Sequence, residues 1–482
     1  MSIDASFTPP KTVQSVGYDR EKHGIGIVHF GVGAFHRAHQ AVYTDDVLKK
    51  HGGNWRILGV SLQSTRGADT LNAQDGIYSL AVRDGDEQQL TLRLIGSIAA
   101  VEAAVRNTDK IFQTLTNPQT RIVTMTVTEK AYGVDRNTGG VDISHPSIAR
   151  DLKDPSNPIG IIGMIVKGLA LRKDAGLKPY TVLCCDNLPK NGEIVRSGVL
   201  DFARRTDPAL AEWIEVHGTF PSAMVDRITP SVTPELLSEV ETILGQKDAA
   251  AVETEPFSQW VVEDNFCDGR PKWEDAGVLF VDDVAPYERM KLRMLNGTHS
   301  LIAYTGFLAG HKYVRDAMAD PQIYDLVEKH IGAASKTLTP LSGIVFEEYG
   351  KQLIERFENP NIAHETYQIA MDGSQKMPQR IFEPAVENLK DGLDIKPFAY
   401  ATAAWIRYCA GITGTGKTYD LRDPRQDELQ SAFKSGNGNV NDICSAFINL
   451  PRLLPSELQE SDVWIAELET QFTSILKQHP LG

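Results

Sequence analysis

Hydrophobic and polar positions change rhythm about halfway along the chain. In the first half, short apolar runs alternate with longer segments of helical spacing. Gly26 to Phe30 (GIVHF) reads as a buried strand, Gly31 to Gly33 as a tight turn, and Phe35 to Lys50 as a helix. Arg56 to Leu62 (RILGVSL), Arg121 to Thr128 (RIVTMTVT) and Thr181 to Cys185 (TVLCC) are further β-rich runs. Ile161 to Lys173, between the last two, has helical spacing. Such alternation predicts an α/β domain with a mostly parallel sheet covered by helices on both faces. From about Tyr287 the pattern becomes amphipathic and helical, over 287–309, 319–335, 344–357, 362–371, 397–410 and 457–477, without a convincing strand. The change falls at the end of Val278 to Ala285 (VLFVDDVA). It predicts one domain over 1–285 and a mainly α-helical one over 286–482.

Composition narrows the function classes. Of 482 residues, 41% are hydrophobic and 23% charged, as in an ordinary globular protein. There are 49 basic and 63 acidic residues, a formal net charge of −14, with no basic run. A chain this acidic is a poor binder of phosphate backbones, so nucleic acid is not expected as a partner. The most apolar run, Ile159 to Val166, holds two glycines and ends at Lys167, far short of the ~20 residues of a membrane-spanning helix. The N-terminus has no apolar stretch that reads as a signal peptide. Five scattered cysteines form no C-x-x-C pair, which argues against a disulfide scaffold or a structural zinc site; a reducing cytoplasm fits best.

Gly31-Val32-Gly33-Ala34-Phe35-His36-Arg37 follows a predicted strand and opens a helix. Glycines there let the chain turn sharply and let backbone amides approach a pyrophosphate. The usual third glycine is His36, so the fingerprint is incomplete, and a lone Gly-x-Gly also occurs in plain turns. His36 and His39 are spaced as helical metal ligands can be, but no third ligand follows, so packing beside the turn is the better reading. Dinucleotide folds usually carry an acidic residue at the end of the second strand. Here the chain reads Leu62-Gln63-Ser64-Thr65-Arg66, with Asp69 a little late. Ser64 and Arg66 could receive a 2′-phosphate, or Arg66 could be a solvated loop residue. The choice between NAD and NADP stays open.

Gly411 to Thr418 (GITGTGKT) satisfies the phosphate-loop pattern, which carries chemistry only between a strand and a helix. It follows a helical segment and precedes Tyr419 to Pro424 (YDLRDP), so it reads as a helix end plus a glycine turn. Lys291, Asn296 and His299 lie at ~0°, ~140° and ~80° on a helical wheel, within an apolar segment that includes Met290, Leu292 and Leu301. A buried lysine there could have a lowered pKa and act as a general base; the alternative is a charged helix face. Asp186-Asn187-Leu-Pro-Lys-Asn191-Gly follows a strand. Asn187 could donate to a developing oxyanion, or the segment could be a plain turn.

Together these pieces resemble the long-chain mannitol dehydrogenase family of polyol and hexuronate dehydrogenases, along nearly the whole chain. The resemblance rests on Gly31 to Gln40, Thr126 to Lys130, Cys185 to Leu188, Met224 to Pro230, Glu255 to Asp264, Lys291 to Ser300 and Asp372 to Lys376. It implies a Rossmann-type domain followed by a helical domain, and chemistry without a metal. It implies Lys291 as general base, Asn187 and Asn296 as donors to the reacting oxygen, and His299 as a substrate ligand. Asp226 and Lys376 match further substrate positions, and Glu129 a proton relay beside the lysine. Family mannitol dehydrogenases carry an arginine where this chain has Gln368. Tyr367 to Lys376, continued by Met-Pro-Gln-Arg380, looks like the fructuronate reductase branch. A hexuronate carboxylate wants a cationic partner, and Lys376 and Arg380 are candidates. The expectation is an NAD(P)-dependent dehydrogenase of D-mannonate/D-fructuronate. Mannitol or another polyol is the alternative substrate. The rival classes are a phosphate-loop nucleotide hydrolase and a dinucleotide-binding protein without turnover.

Overall fold

In a computed structural model, residues 2–84, 90–127, 129–135 and 139–481 are described. The described chain falls into two units, Met1–Ala285 and Pro286–Gly482. At the centre of the first are five strands: β1 (Ile25–Phe30), β2 (Arg56–Ser61), β3 (Ile98–Ala103), β4 (Ile122–Met125) and β5 (Thr181–Cys184). They lie in the order β3-β2-β1-β4-β5, and every neighbouring pair is parallel. This is the strand order of the Rossmann fold up to its fifth strand, with the order reversing at β1.

Strand side chains alternate between faces, and both faces are buried. That is why these segments read as continuous apolar runs. Val28, Phe30, Leu58, Val60, Val123 and Met125 pack with Ile161, Ile162, Ile165 and Leu169 of the helix Ile161–Asp174. Ile27, Ile57, Ile122 and Leu183 face the other way, onto Trp260, Trp273 and Val47 of the helix Gln40–His51. Each fully buried aliphatic side chain contributes ~1.5–3 kcal/mol, so the two layers fix the sheet firmly.

Two small sheets were not evident from the sequence. Tyr78–Val82 pairs antiparallel with Thr91–Ile95 and parallel with Val252–Thr254. Gln259–Glu263 pairs antiparallel with Ala223–Asp226 and parallel with Leu279–Val281. These strands are three to five residues long, too short to show a period. The expected helix over Phe35 to Lys50 is broken: Ala34–Ala38 ends at His39 (φ −126°, ψ −91°), and Gln40–His51 starts anew. The run Arg121 to Thr128 is a strand only over Ile122–Met125, and Thr128 lies outside the described residues.

The second unit is helical, and among its described residues no strand occurs. Pro321–Ser335, Phe346–Glu358, Lys396–Tyr408 and Asp462–Gln478 answer to the amphipathic segments. Asp320 and Ser461 cap the first and last of these, accepting from the amides of Gln322 and Trp464. Only Thr366–Ile369 is helical within 362–371. Gly373–Met377, Glu383–Lys390, Gln426–Ser435 and Val440–Ile448 are further helices that the sequence pattern did not mark. Lys396–Tyr408 packs against both Asp462–Gln478 and the helix Gly297–Leu308. No helix of the described residues is long and apolar enough to cross a membrane. All five cysteines are free thiols; Cys184, Cys185, Cys409 and Cys444 are buried and Cys267 is partly exposed.

Candidate active site

In the first unit, the turn after β1 is built for close approach. Gly31 has φ +94°, and a Cβ there would collide with the Thr126 carbonyl at the end of the neighbouring strand β4. Its amide donates to the Val60 carbonyl of β2 (2.9 Å), and the Thr126 hydroxyl donates to its carbonyl (2.9 Å). The turn is thus held from both neighbouring strands. Val32 lies over Gly59 of β2, where a Cβ would come within 2.5 Å of its methyl group. Gly59 was not singled out from the sequence, although a glycine inside a strand is the usual sign of such an approach. Gly33 is exposed, and a Cβ there would meet nothing closer than 3.9 Å, so open space lies before the helix Ala34–Ala38. The first amides of that helix, at Ala34, Phe35 and His36, have no partner inside it. A tight glycine turn at the carboxyl end of β1, with space in front of it, fits a dinucleotide pyrophosphate.

Two neighbours of this turn point inward. The Arg37 guanidinium donates to the Ala250 carbonyl, and the Arg37 carbonyl accepts from the Tyr78 hydroxyl (2.6 Å). The His39 Nε2 lies 3.0 Å from the Gln259 carbonyl oxygen. Among the described residues no group of three His, Cys, Asp or Glu could hold a metal. Past β2, Ser64 and Arg66 are both exposed; the Ser64 carbonyl accepts from Ser61 (2.7 Å), and Arg66 opens the helix Arg66–Asn72. Asp69 is engaged by Arg106 through two bonds of 2.6 and 2.8 Å, so its carboxylate is already occupied.

Asn187 lies on an exposed turn just after β5, at the carboxyl end of the parallel sheet. Asp186 anchors that turn, accepting from the Val127 amide (2.9 Å) and the Tyr132 hydroxyl (2.5 Å). Asn191 clamps its other side, bonding to the Asp186 carbonyl and to both backbone groups of Ala223. Asp226 ends the strand Ala223–Asp226 and is buried. Glu129 opens a short 3-10 turn, Glu129–Ala131, and its side chain lies outside the described residues.

The second unit gathers most of the other candidates around a widened helix. Lys291–Asn296 is π-helical between the α-helices Ala285–Met290 and Gly297–Leu308; its end shows in the Gly297 amide donating back to Leu292. More than 3.6 residues fill this turn, so Asn296 comes round closer to Lys291 than the ~140° of the wheel. Lys291, Asn296 and His299 are 7%, 9% and 8% exposed, which removes the solvated-face reading of the lysine. A second π-helical turn, Pro378–Phe382, lies against the first. From it the Arg380 Nη1 donates to the Asn296 carbonyl (3.2 Å) and the Ser300 hydroxyl (3.1 Å). Gly297 permits this approach: a Cβ there would sit 2.9 Å from the Arg380 carbonyl oxygen and 3.0 Å from the His330 ring.

Lys291, Arg356, Lys376 and Arg380 make this cluster rich in cations, and Asp372 and Asp423 are the carboxylates that bear on Lys376. Burial holds the His299 pKa well below its ordinary value, helped by His364, Arg356, Arg380 and Lys291. A neutral imidazole offers one donor and one acceptor, which suits a hydroxyl group. The ring lies 4.7 Å from Phe357 and edge-on to His364. Lys376 donates to the carbonyls of Ile369 (3.2 Å) and Met371 (2.5 Å), leaving a third donor over. Burial, reinforced by Arg380, brings its pKa down to about 8. Burial alone lowers Arg380 to about 10. Asp423 fixes the turn that carries Lys376, accepting from the Ser374 amide (2.7 Å) and hydroxyl (2.5 Å). Arg356, His364 and Asp423 had no signal in the sequence, because helix contacts far apart in the chain bring them here. Gln368 is exposed, and its backbone amide donates to the Glu365 carbonyl.

The phosphate-loop pattern lacks its context. Gly411 to Thr418 follows the helix Lys396–Tyr408 and closes on itself through a bridge between Ile412 and Thr418. The amides of Thr413, Gly416 and Lys417 bond within the loop, and the next helix begins only at Gln426.

Two family models match the chain in tandem: the mannitol dehydrogenase Rossmann domain over residues 25–275, and the mannitol dehydrogenase C-terminal domain over residues 283–476. D-mannonate oxidoreductase of Escherichia coli is 38% identical over 466 residues, 96% of this chain and 95% of its own. Mannitol 2-dehydrogenase of Aspergillus terreus is 39% identical over 462 residues, 94% of this chain and 91% of its own. Mannitol 2-dehydrogenase of Pseudomonas fluorescens, solved as a ternary complex with NAD and D-mannitol, matches with a TM-score of 0.83 at 34% identity, covering 99% of both chains.

Proposed function

Because the chain belongs to the mannitol dehydrogenase family and is an oxidoreductase of that family, we propose that it interconverts D-mannonate and D-fructuronate with a nicotinamide dinucleotide, NAD or NADP. Identity to the relatives does not choose the substrate, since the mannonate and mannitol enzymes stand at 38% and 39%. The carrying observation is the cationic pair: Arg380 bears on His299, Lys376 bears on Arg380 and on His364, and Lys376 has a donor to spare. A sugar acid supplies the carboxylate such a pair would hold, and a neutral polyol does not.

The glycine turn Gly31–Gly33 would hold the pyrophosphate, with the amides of Ala34, Phe35 and His36 behind it. A nicotinamide held there would supply the hydride acceptor in oxidation and the hydride donor in reduction. Lys291 removes the hydroxyl proton in oxidation and gives one back in reduction. Asn296 and Asn187 donate to the reacting oxygen, and that donation matters most as charge develops there. His299 and Asp226 bond the substrate hydroxyls, and Glu129 relays the proton. Arg37, turned onto Ala250, contributes by holding the helix rather than by its charge.

The deciding experiment follows loss of near-ultraviolet absorbance from NADH and NADPH with D-fructuronate and with D-fructose. Faster loss with fructuronate supports the sugar-acid reading. Faster loss with fructose makes the chain a mannitol 2-dehydrogenase, the reading favoured by the mannitol-bound relative. Absence of turnover with every polyol and hexonate would leave a dinucleotide-binding protein.

Arg66 gives a separate prediction. Its guanidinium is exposed, and no ion pair among the described residues engages it. A charge-assisted bond to a 2′-phosphate contributes ~1.5–3 kcal/mol, so Arg66→Asp should lower the NADPH-to-NADH ratio of kcat/KM at least about tenfold. An unchanged ratio would return Arg66 to the solvent.

A further inference from the structure

The usual dinucleotide turn closes on a third glycine, which lets the helix lie tightly on the sheet. Here His36 stands in that place, fully buried. Its ring lies flat on His29 of β1, with centroids 3.4 Å apart and planes 13° from parallel. His29 is in turn bound to the turn itself. Its Nδ1 lies 2.8 Å from the Thr124 hydroxyl, and its Nε2 lies 3.1 Å from the Gly31 carbonyl and 3.0 Å from the Thr126 hydroxyl. A carbonyl can only accept, so Nε2 carries the ring proton and Nδ1 accepts from Thr124. His29 is thereby satisfied as a neutral ring, and burial brings its pKa down to about 3. Burial, and then His29, holds His36 well below its ordinary value too; Arg37 and His39 are the other charged or titratable groups that bear on it.

His36 itself is held differently. Both of its ring nitrogens are buried, and among the described residues neither makes a well-formed hydrogen bond. The flat stack on His29 holds this ring, with the Gln40 side chain as the polar group beside it. The helix Ala34–Ala38 is only five residues long. Arg37 ties its far end to Ala250 and Tyr78, and the stack ties its near end to β1.

We propose that the His29–His36 stack is a positioning pair for the dinucleotide turn, doing by ring stacking what the third glycine does by close packing. The proposal rests on the dinucleotide reading above. The test is titration of the purified full chain with NADH, read by fluorescence, for the wild type, His36→Phe and His36→Leu. Phenylalanine keeps a flat ring; leucine keeps apolar bulk and loses the stack. His36→Phe should bind within about twofold of wild type, and His36→Leu about tenfold more weakly, the upper end of what an aromatic pair contributes. Sugar KM at saturating cofactor should be unchanged in both, which a general loosening of the fold would not allow. Wild-type affinity in His36→Leu, or an equal loss in His36→Phe, overturns the stack. If leucine prevents folding, the phenylalanine variant decides alone: tight binding supports the stack, and a tenfold loss sinks it. A wild-type protein that binds neither NADH nor NADPH would defeat the dinucleotide reading instead.

Discussion

Lys291→Ala should lower kcat by ~10²–10⁴-fold, the range lost when a general base is removed, while NADH affinity stays at the wild-type level. The lysine is 7% exposed and opens a π-helical turn among Met290, Met294 and Leu295, so it is not there to solubilise a surface. Its charge bears on His299, which burial keeps neutral. Since the base acts on the proton in flight, kcat and kcat/KM should fall together, with little change in KM. Lys291→Arg separates charge from proton transfer: it keeps the cation but cannot deprotonate, and should be nearly as slow. Turnover within tenfold of wild type in the alanine variant would take the lysine out of the chemistry. Stopped-flow measurement with saturating cofactor reads the chemical step directly.

The second large effect is expected at Arg380. It is held by the Asn296 carbonyl and the Ser300 hydroxyl, and it lies beside Lys376. Truncating one partner of a desolvated charge pair costs about 2–5 kcal/mol, so Arg380→Ala should lower kcat/KM for D-fructuronate roughly thirtyfold or more. For D-fructose, which has no carboxylate, the loss should be much smaller. Equal losses on both sugars would mean that Arg380 only shapes the helix pair. Lys376 adds a pH signature. Its pKa is lowered to about 8, so it is charged below that pH and neutral above it. The KM for the sugar acid should therefore rise as pH passes upward through 8. Lys376→Arg should abolish that rise, because its guanidinium stays charged.

What could be read from the sequence follows the range of the interactions involved. The strands β1, β2, β4 and β5 are buried on both faces, so their apolar runs announced them. β3 (IAAVEA) went unseen because alanine and glutamate blur its apolar pattern. The break at His39 was hidden, since nothing in Phe35 to Lys50 opposes a helix locally; the His29–His36 stack and the Arg37–Ala250 bond are tertiary. The segment Lys291 to Ser300 stood out as a buried helix with polar members, but its π-helical turn did not, because a helical wheel assumes one fixed period. Arg356 and His364 approach His299 from residues some sixty positions away, and Asp423 reaches Ser374 across nearly fifty. Spacing along the chain carries no trace of such pairings. The pattern in Gly411 to Thr418 gave the opposite lesson: the letters of a phosphate loop were present, but the amides of Thr413, Gly416 and Lys417 are spent inside the loop.

The distribution of thiols gives the molecule an internal clock for its own unfolding. Cys267 alone is partly exposed, so a maleimide dye added to the native protein should couple at one position. Cys184 and Cys185 are sealed in the first unit, Cys409 and Cys444 in the second, and burial raises the pKa of all four. Each pair becomes reactive only when its own unit opens. Counting added mass under rising denaturant, with peptide mapping, would date the opening of each half in a single experiment. A stepwise gain of two labels and then two more would mean that the halves unfold one after the other. A single jump of four would mean that they unfold as one.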